Sequence, residues 1–174
     1  MVRTDRGGSA QVTAATRGLI ASWAALAVAA CIHAPGPELA VAPASGRQVI
    51  NPPGIAPLVA AYSVAIRSGD QVFVSGMTGI KPGTQDIVDG GVTPQTRQTL
   101  ENIKTSLQAA GATMADVDEC TVFLKDMADY AAMNAVYIEF FRVDPPARAT
   151  LAVTELPRPA ARVEIKCSAR IRQR

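Results

Sequence analysis

The chain has 174 residues, 48% of them hydrophobic and 5% aromatic, which suits one ordinary domain with room for an extra segment. Seventeen basic and 15 acidic residues leave a net charge of +2, too near neutral to imply nucleic-acid binding. The only histidine, His33, lies in a Pro-, Ala- and Gly-rich stretch that reads as a tether, which removes Ser-His-Asp and Cys-His catalysis, and three cysteines without CxxC spacing give no zinc motif.

The N-terminus reads as a separate object. Arg3, Arg6 and Arg17 precede an apolar run over 19–30 that ends in Val28-Ala29-Ala30-Cys31. A basic start, a short apolar stretch and small residues before a cleavage point predict a secretory signal over 1–30. The run is too short to span a bilayer as a lasting helix. Small residues leading into cysteine also resemble a bacterial lipobox, in which Cys31 is lipidated and becomes the mature N-terminus. The expected location is therefore periplasmic or membrane-anchored; a mis-assigned start site would instead leave the protein cytoplasmic. Residues 31–50, rich in Pro, Ala and Gly, read as a flexible tether, and the only histidine, His33, lies there.

The domain is predicted over 51–174. Runs at 61–67 and 71–75 are strand-like, and Ser68-Gly69-Asp70 between them has hairpin chemistry. Thr93 is expected to cap a helix beginning at Pro94, with Leu100, Ile103 and Leu107 as its apolar stripe and Gly111 as its stop. A strand over 117–125 follows. Asp126 is expected to start a second helix with Tyr130, Met133, Val136, Tyr137 and Phe140 on one face. Two strands close the chain, after Pro146 and after Arg162. In the second of them Val163, Ile165, Cys167 and Ala169 alternate with Glu164, Lys166, Ser168 and Arg170. The order β-β-α-β-α-β-β predicts an α+β layer, a mixed sheet with two helices on one face. Cys120 and Cys167 both fall on predicted strands, as buried thiols or as a disulfide. The basic C-terminal region, including Arg158, Arg162, Arg170 and Arg172, reads as a solvated sheet rim, because few aromatics accompany it for stacking.

Arg148 sits at the mouth of the first closing strand, just after a rigid Pro-Pro. A guanidinium held there presents a fork for a planar carboxylate. The wording around it, Pro146-Ala147-Arg148-Ala149-Thr150, then Leu156-Pro157 and Val163-Glu164-Ile165, resembles the C-terminal signature of the RidA (YjgF-like) family of reactive-intermediate deaminases. The resemblance extends back through Val122-Phe123-Leu124-Lys125-Asp126, Met133-Asn134-Ala135-Val136-Tyr137 and Val72-Phe73-Val74-Ser75-Gly76 to Tyr62-Ser63. It covers the chain from about residue 50 to 172.

That resemblance implies a chorismate-mutase-like fold, a homotrimer with clefts between adjacent subunits, and hydrolysis of enamines and imines such as 2-aminoacrylate to a 2-keto acid and ammonia. It implies no metal and no cofactor. By position Arg148 would take the substrate carboxylate, Tyr62 would close the cleft, Ser75 and Gly76 would line it, and Asn134 and Thr150 would add contacts. The family's water-activating glutamate lies on the last strand, and the expected alignment puts Lys166 in its place. Glu164 shares that face but is displaced by two residues, about 6–7 Å along a strand. Lys166 would retain an anion and repel a protonated imine, so the alternative expectation is a weakly catalytic or non-catalytic carboxylate-binding or interaction module.

Overall fold

The structure, a computed structural model, describes residues 46–55 and 61–172. The signal over 1–30, Cys31 and His33 lie outside the described residues.

Six strands form one mixed sheet. In chain order the elements are β1 (Arg47–Ile50), β2 (Ala65–Ser68), β3 (Gln71–Thr78), α1 (Val92–Ala109), β4 (Val117–Leu124), α2 (Tyr130–Phe140), β5 (Ala147–Ala152) and β6 (Val163–Arg170). The sheet order is β1-β2-β3-β6-β4-β5. Only the β4–β5 pair is parallel; the others are antiparallel.

The tether ends earlier than its composition suggests. Residues 47–50 pair with β2 as an edge strand, Val49 opposite Ile66. Composition marks a segment that cannot fold alone, whereas an existing sheet edge supplies the backbone partners that this one lacks. The second strand is also shorter than the predicted run, because Ala61 and Tyr62 belong to a turn and pairing starts at Ala65.

α1 begins one residue before Thr93. Gly91, at φ 84°, holds the cap position, and Pro94 falls inside the first turn, where its missing N–H costs nothing. Leu100, Ile103 and Leu107 are fully buried, and Gly111, at φ 83°, ends the helix. Asp126 caps a single 3-10 turn, Met127–Asp129, by accepting from the Ala128 N–H at 2.9 Å. α2 starts only after that turn, with Met133, Val136 and Tyr137 buried and Tyr130 exposed.

α1 packs against β3, β6 and α2, so both helices cover one face of the sheet. On β6 the alternation is as predicted: Val163, Ile165, Cys167 and Ala169 are buried against the helices. Cys120 of β4 lies directly opposite Cys167, and the two are joined by a disulfide with a Cα–Cα distance of 4.1 Å. The other face is open and carries Val49, Phe73 and Leu151, which stay 52%, 50% and 48% exposed. Among the described residues no helix is long and apolar enough to cross a membrane.

Candidate functional site

A β-bulge shapes the first group of residues. Val74 opposes Cys167 and Met77 opposes Ile165, so Ser75 and Gly76 of β3 together face the single residue Lys166. The bulge is tied back by two bonds: the Ser75 N–H donates to the Val64 carbonyl at 3.0 Å, and the Ser75 hydroxyl donates to the Ser63 carbonyl at 2.7 Å. Beyond it, Thr78 pairs with Glu164. A cavity of about 390 Å³ opens here, lined by Tyr62, Ser75, Gly76, Thr78, Pro157, Arg158 and Glu164.

Glu164 leans across Gly76. A β-carbon at residue 76 would overlap the Glu164 carboxylate, its carboxyl carbon lying 2.9 Å away, so only glycine leaves the space. Burial raises the Glu164 pKa above the ordinary carboxylate range. A half-buried carboxyl with a raised pKa beside a cavity has the equipment of a general base or acid.

The strand entering this site is anchored from α1. The Gln95 side-chain N–H donates to the Ala160 carbonyl at 3.1 Å, and its oxygen accepts the Arg162 N–H at 2.7 Å. Arg162 Nε donates to Asp129 Oδ2 at 2.6 Å. Three contacts thus fix the loop before β6 and with it the register that delivers Glu164.

Lys166 does not line this cavity, contrary to the place that the expected alignment gave it. Its side chain lines a separate cavity of about 280 Å³ with Phe73, Glu119, Thr121 and Ser168. Glu164, two residues earlier on the same face, is the acid that joins Tyr62, Ser75 and Gly76.

The second group gathers around Arg148. Its Nη1 donates to Asn134 Oδ1 at 2.9 Å and its Nη2 to the Tyr130 hydroxyl at 3.1 Å. The guanidinium lies 4.5 Å from the centroid of the Tyr137 ring. Tyr130, Asn134 and Tyr137 follow the 3–4 residue spacing that puts them on one face of α2. Burial pushes the Tyr137 phenol up to about 12, with the Arg148 charge pulling the other way, so that phenol stays neutral and serves as a platform. Thr150 lies two residues along β5 with its hydroxyl buried, and neither it nor the Tyr137 hydroxyl has a hydrogen-bond partner among the described residues. A fully buried polar atom left unpaired is costly, which marks both hydroxyls as exceptions in this part of the fold.

Within one chain the two groups do not meet. Arg148 pairs with Cys120, which pairs with Cys167, and that row faces the helices. Glu164 pairs with Phe123, which pairs with Leu151 in a row facing the open side. Arg158, Thr78, Tyr130 and Tyr137 were not singled out as site residues from the sequence. Only the helical spacing of Tyr130 and Tyr137 relative to Asn134 carried a signal for them. Among the described residues no group of three or more His, Cys, Asp or Glu is placed to hold a metal ion.

The family model described as Endoribonuclease L-PSP matches residues 54–171. A RutC family protein of Pyrococcus horikoshii is 50% identical over 97 residues, 56% of this chain and 77% of that protein. A 2-iminobutanoate/2-iminopropanoate deaminase of Dermatophagoides farinae is 36% identical over 122 residues, 70% of this chain and 94% of that protein. Among solved structures, RidA from an Antarctic Psychrobacter superposes with a TM-score of 0.67 at 35% identity, covering 71% of this chain and 99% of that one. The family match spans both residue groups, from Tyr62 to Glu164.

Proposed function

The chain belongs to the RidA family, whose model is described as Endoribonuclease L-PSP, and from that premise we propose that it hydrolyses 2-imino acids and their enamine tautomers to 2-keto acids and ammonia. The similar mite protein is named for this activity on 2-iminobutanoate and 2-iminopropanoate. The observation that carries the reading is Glu164, a half-buried carboxyl with a raised pKa in the cleft of Tyr62, Ser75 and Gly76.

The imine carbon is already electrophilic, so the protein has only to hold the substrate, place a water and move protons. The Glu164 carboxylate takes a proton from water as the oxygen bonds to the imine carbon. The protonated carboxyl then returns that proton to nitrogen to give the carbinolamine; Glu164 next carries the proton of the new hydroxyl to the amine as the C–N bond breaks, so ammonia leaves and the carbonyl of the 2-keto acid remains. Arg148, braced by Asn134 and Tyr130, holds the substrate carboxylate, and Thr150, two residues along the same strand, adds a contact. The alternative of binding without catalysis rests on Lys166 in the glutamate's place; the presence of Glu164 in the cavity lining supports the catalytic reading over it.

Arg148 and Glu164 lie on opposite faces of the sheet, so the complete cleft needs Arg148 from one copy and Glu164 from the next. A homotrimer provides that, with the open faces and their exposed Val49, Phe73 and Leu151 turned inward. Ribonuclease activity is less well supported, because Arg162 and Arg172 are engaged by Asp129 and Asp118. Export, with Cys31 as a lipid anchor, remains part of the proposal; a disulfide between Cys120 and Cys167 suits an oxidising compartment. Globomycin sensitivity and palmitate labelling of the full chain test the anchor, and unlabelled cytoplasmic protein would sink it.

Subunit mixing tests the cleft. Arg148→Ala and Glu164→Gln proteins, each strongly impaired alone, should regain imine hydrolysis when unfolded together and reassembled, because every mixed trimer then holds an intact cleft. No recovery in verified mixed trimers would refute the shared site.

A further inference from the structure

The cleft holds a second cation. Arg158 lines the same cavity as Glu164, Ser75 and Tyr62, and its guanidinium is held in place from the 81–89 segment. Its Nη1 donates to the Gln85 carbonyl at 2.6 Å and its Nη2 to Gln85 Oε1 at 2.5 Å. Both acceptors are neutral, and among the described residues no carboxylate lies within ion-pair distance of Arg158. A half-buried guanidinium anchored by neutral oxygens keeps its full charge and still has N–H groups free.

Within one chain the cavity measures about 390 Å³, with Arg158 and Glu164 in the same lining.

We propose that Arg158 is a specificity-determining residue that binds a second carboxylate, so that the preferred substrates are 2-imino dicarboxylates, the imines formed from acidic amino acids. The proposal rests on the deaminase reading above, with Arg148 taking the α-carboxylate and Arg158 the side-chain carboxylate. Glu164 stands between these charges as the proton carrier. The reaction itself is unchanged: water adds at the imine carbon and ammonia leaves, while the distal carboxylate only binds.

Two imines of equal chain length isolate the effect. 2-Iminoglutarate and 2-iminopentanoate, generated from glutamate and norvaline by amino-acid oxidases, differ only in the distal carboxylate. Full-length wild-type protein should favour the dicarboxylate by about tenfold in kcat/KM, the worth of one charge-assisted pair at a half-exposed site. Arg158→Gln should remove that preference, with 2-iminoglutarate hydrolysis falling about tenfold more than 2-iminopentanoate hydrolysis. Gln85→Ala, which keeps the charge and the backbone contact but removes the Oε1 contact, should lose it in part and guards against a misfolded Arg158 variant. Calorimetry with 2-oxoglutarate and 2-oxopentanoate reads the same discrimination without turnover, so absent hydrolysis would count against the deaminase reading and not against Arg158. Equal treatment of the two ligands by wild type, or a preference that survives Arg158→Gln, overturns the proposal.

Discussion

The Glu164 carboxylate fills the space that a β-carbon on residue 76 would need, and Gly76 leaves that space open. Glycine is required here for room and not for an unusual backbone angle. The obstacle to a larger residue is the end of one flexible side chain, so the strain of a substitution would fall on Glu164 and not on the sheet. Gly76→Ala should therefore fold and assemble normally while moving the carboxylate out of place. Imine hydrolysis should fall at least tenfold, with the melting temperature within a few degrees of wild type; full activity would place the acid elsewhere.

Glu164→Gln should reduce imine hydrolysis by about a hundredfold or more, the usual worth of a positioned general base. In wild type, kcat/KM should rise with pH through a value above the ordinary carboxylate range and then level, because only the ionised carboxyl accepts the water proton. Stability carries the opposite sign. The native state holds this proton more tightly than the unfolded chain, so stability is lost as pH rises from the unfolded carboxyl's pKa through the raised one. Glutamine has no proton to lose. The variant should thus melt higher than wild type at neutral pH and gain nothing in acid, which thermal scans across pH will check.

Arg148→Ala should weaken binding of 2-keto acids by about 1.5–3 kcal/mol, one to two decades in affinity. Its bonds to Asn134 and Tyr130 are at a half-exposed edge, so the fold should survive. Lys166→Ala is the contrasting variant. With its side chain in the Phe73–Glu119 cavity, it should leave kcat within about twofold of wild type. Calorimetry and coupled turnover on both variants separate the two roles; a large loss in Lys166→Ala would restore lysine to the cleft.

The Cys120–Cys167 disulfide closes a segment of 47 residues between neighbouring strands. Loop-closure entropy gives about 4 kcal/mol of stabilisation for a segment of that length. Reductant should lower the denaturation midpoint of wild type and leave a Cys120→Ala/Cys167→Ala double variant unaffected. Equal midpoints with and without reductant would show that the bond is absent or contributes nothing.

Much of the fold was legible in the sequence because it is local. Alternation on β6, the Leu100, Ile103 and Leu107 stripe of α1 and the turn at Ser68-Gly69-Asp70 each follow from a period or a turn preference within a few residues. Family wording put Arg148 near Asn134, and Tyr62 near Ser75 and Gly76. The helical period of α2 explains the first of these associations: Asn134 lies four residues from Tyr130 and three from Tyr137, and all three contact Arg148.

What the sequence could not decide were the pairings between distant segments. Glu164 and Lys166 share one face, and no local preference separates them. The choice is made by the bulge at Ser75 and Gly76 and by Gln95 anchoring the loop at Ala160 and Arg162. The same holds for the Cys120–Cys167 bond, which depends on the register of β4 against β6, and for residues 47–50, which become a strand only because β2 offers an edge. Local chemistry determined which residues could form strands and helices. Tertiary hydrogen bonding, which fixes register and so the face on which each side chain emerges, decided that Glu164 and not Lys166 meets Gly76, and that Arg148 lies on the opposite side of the sheet.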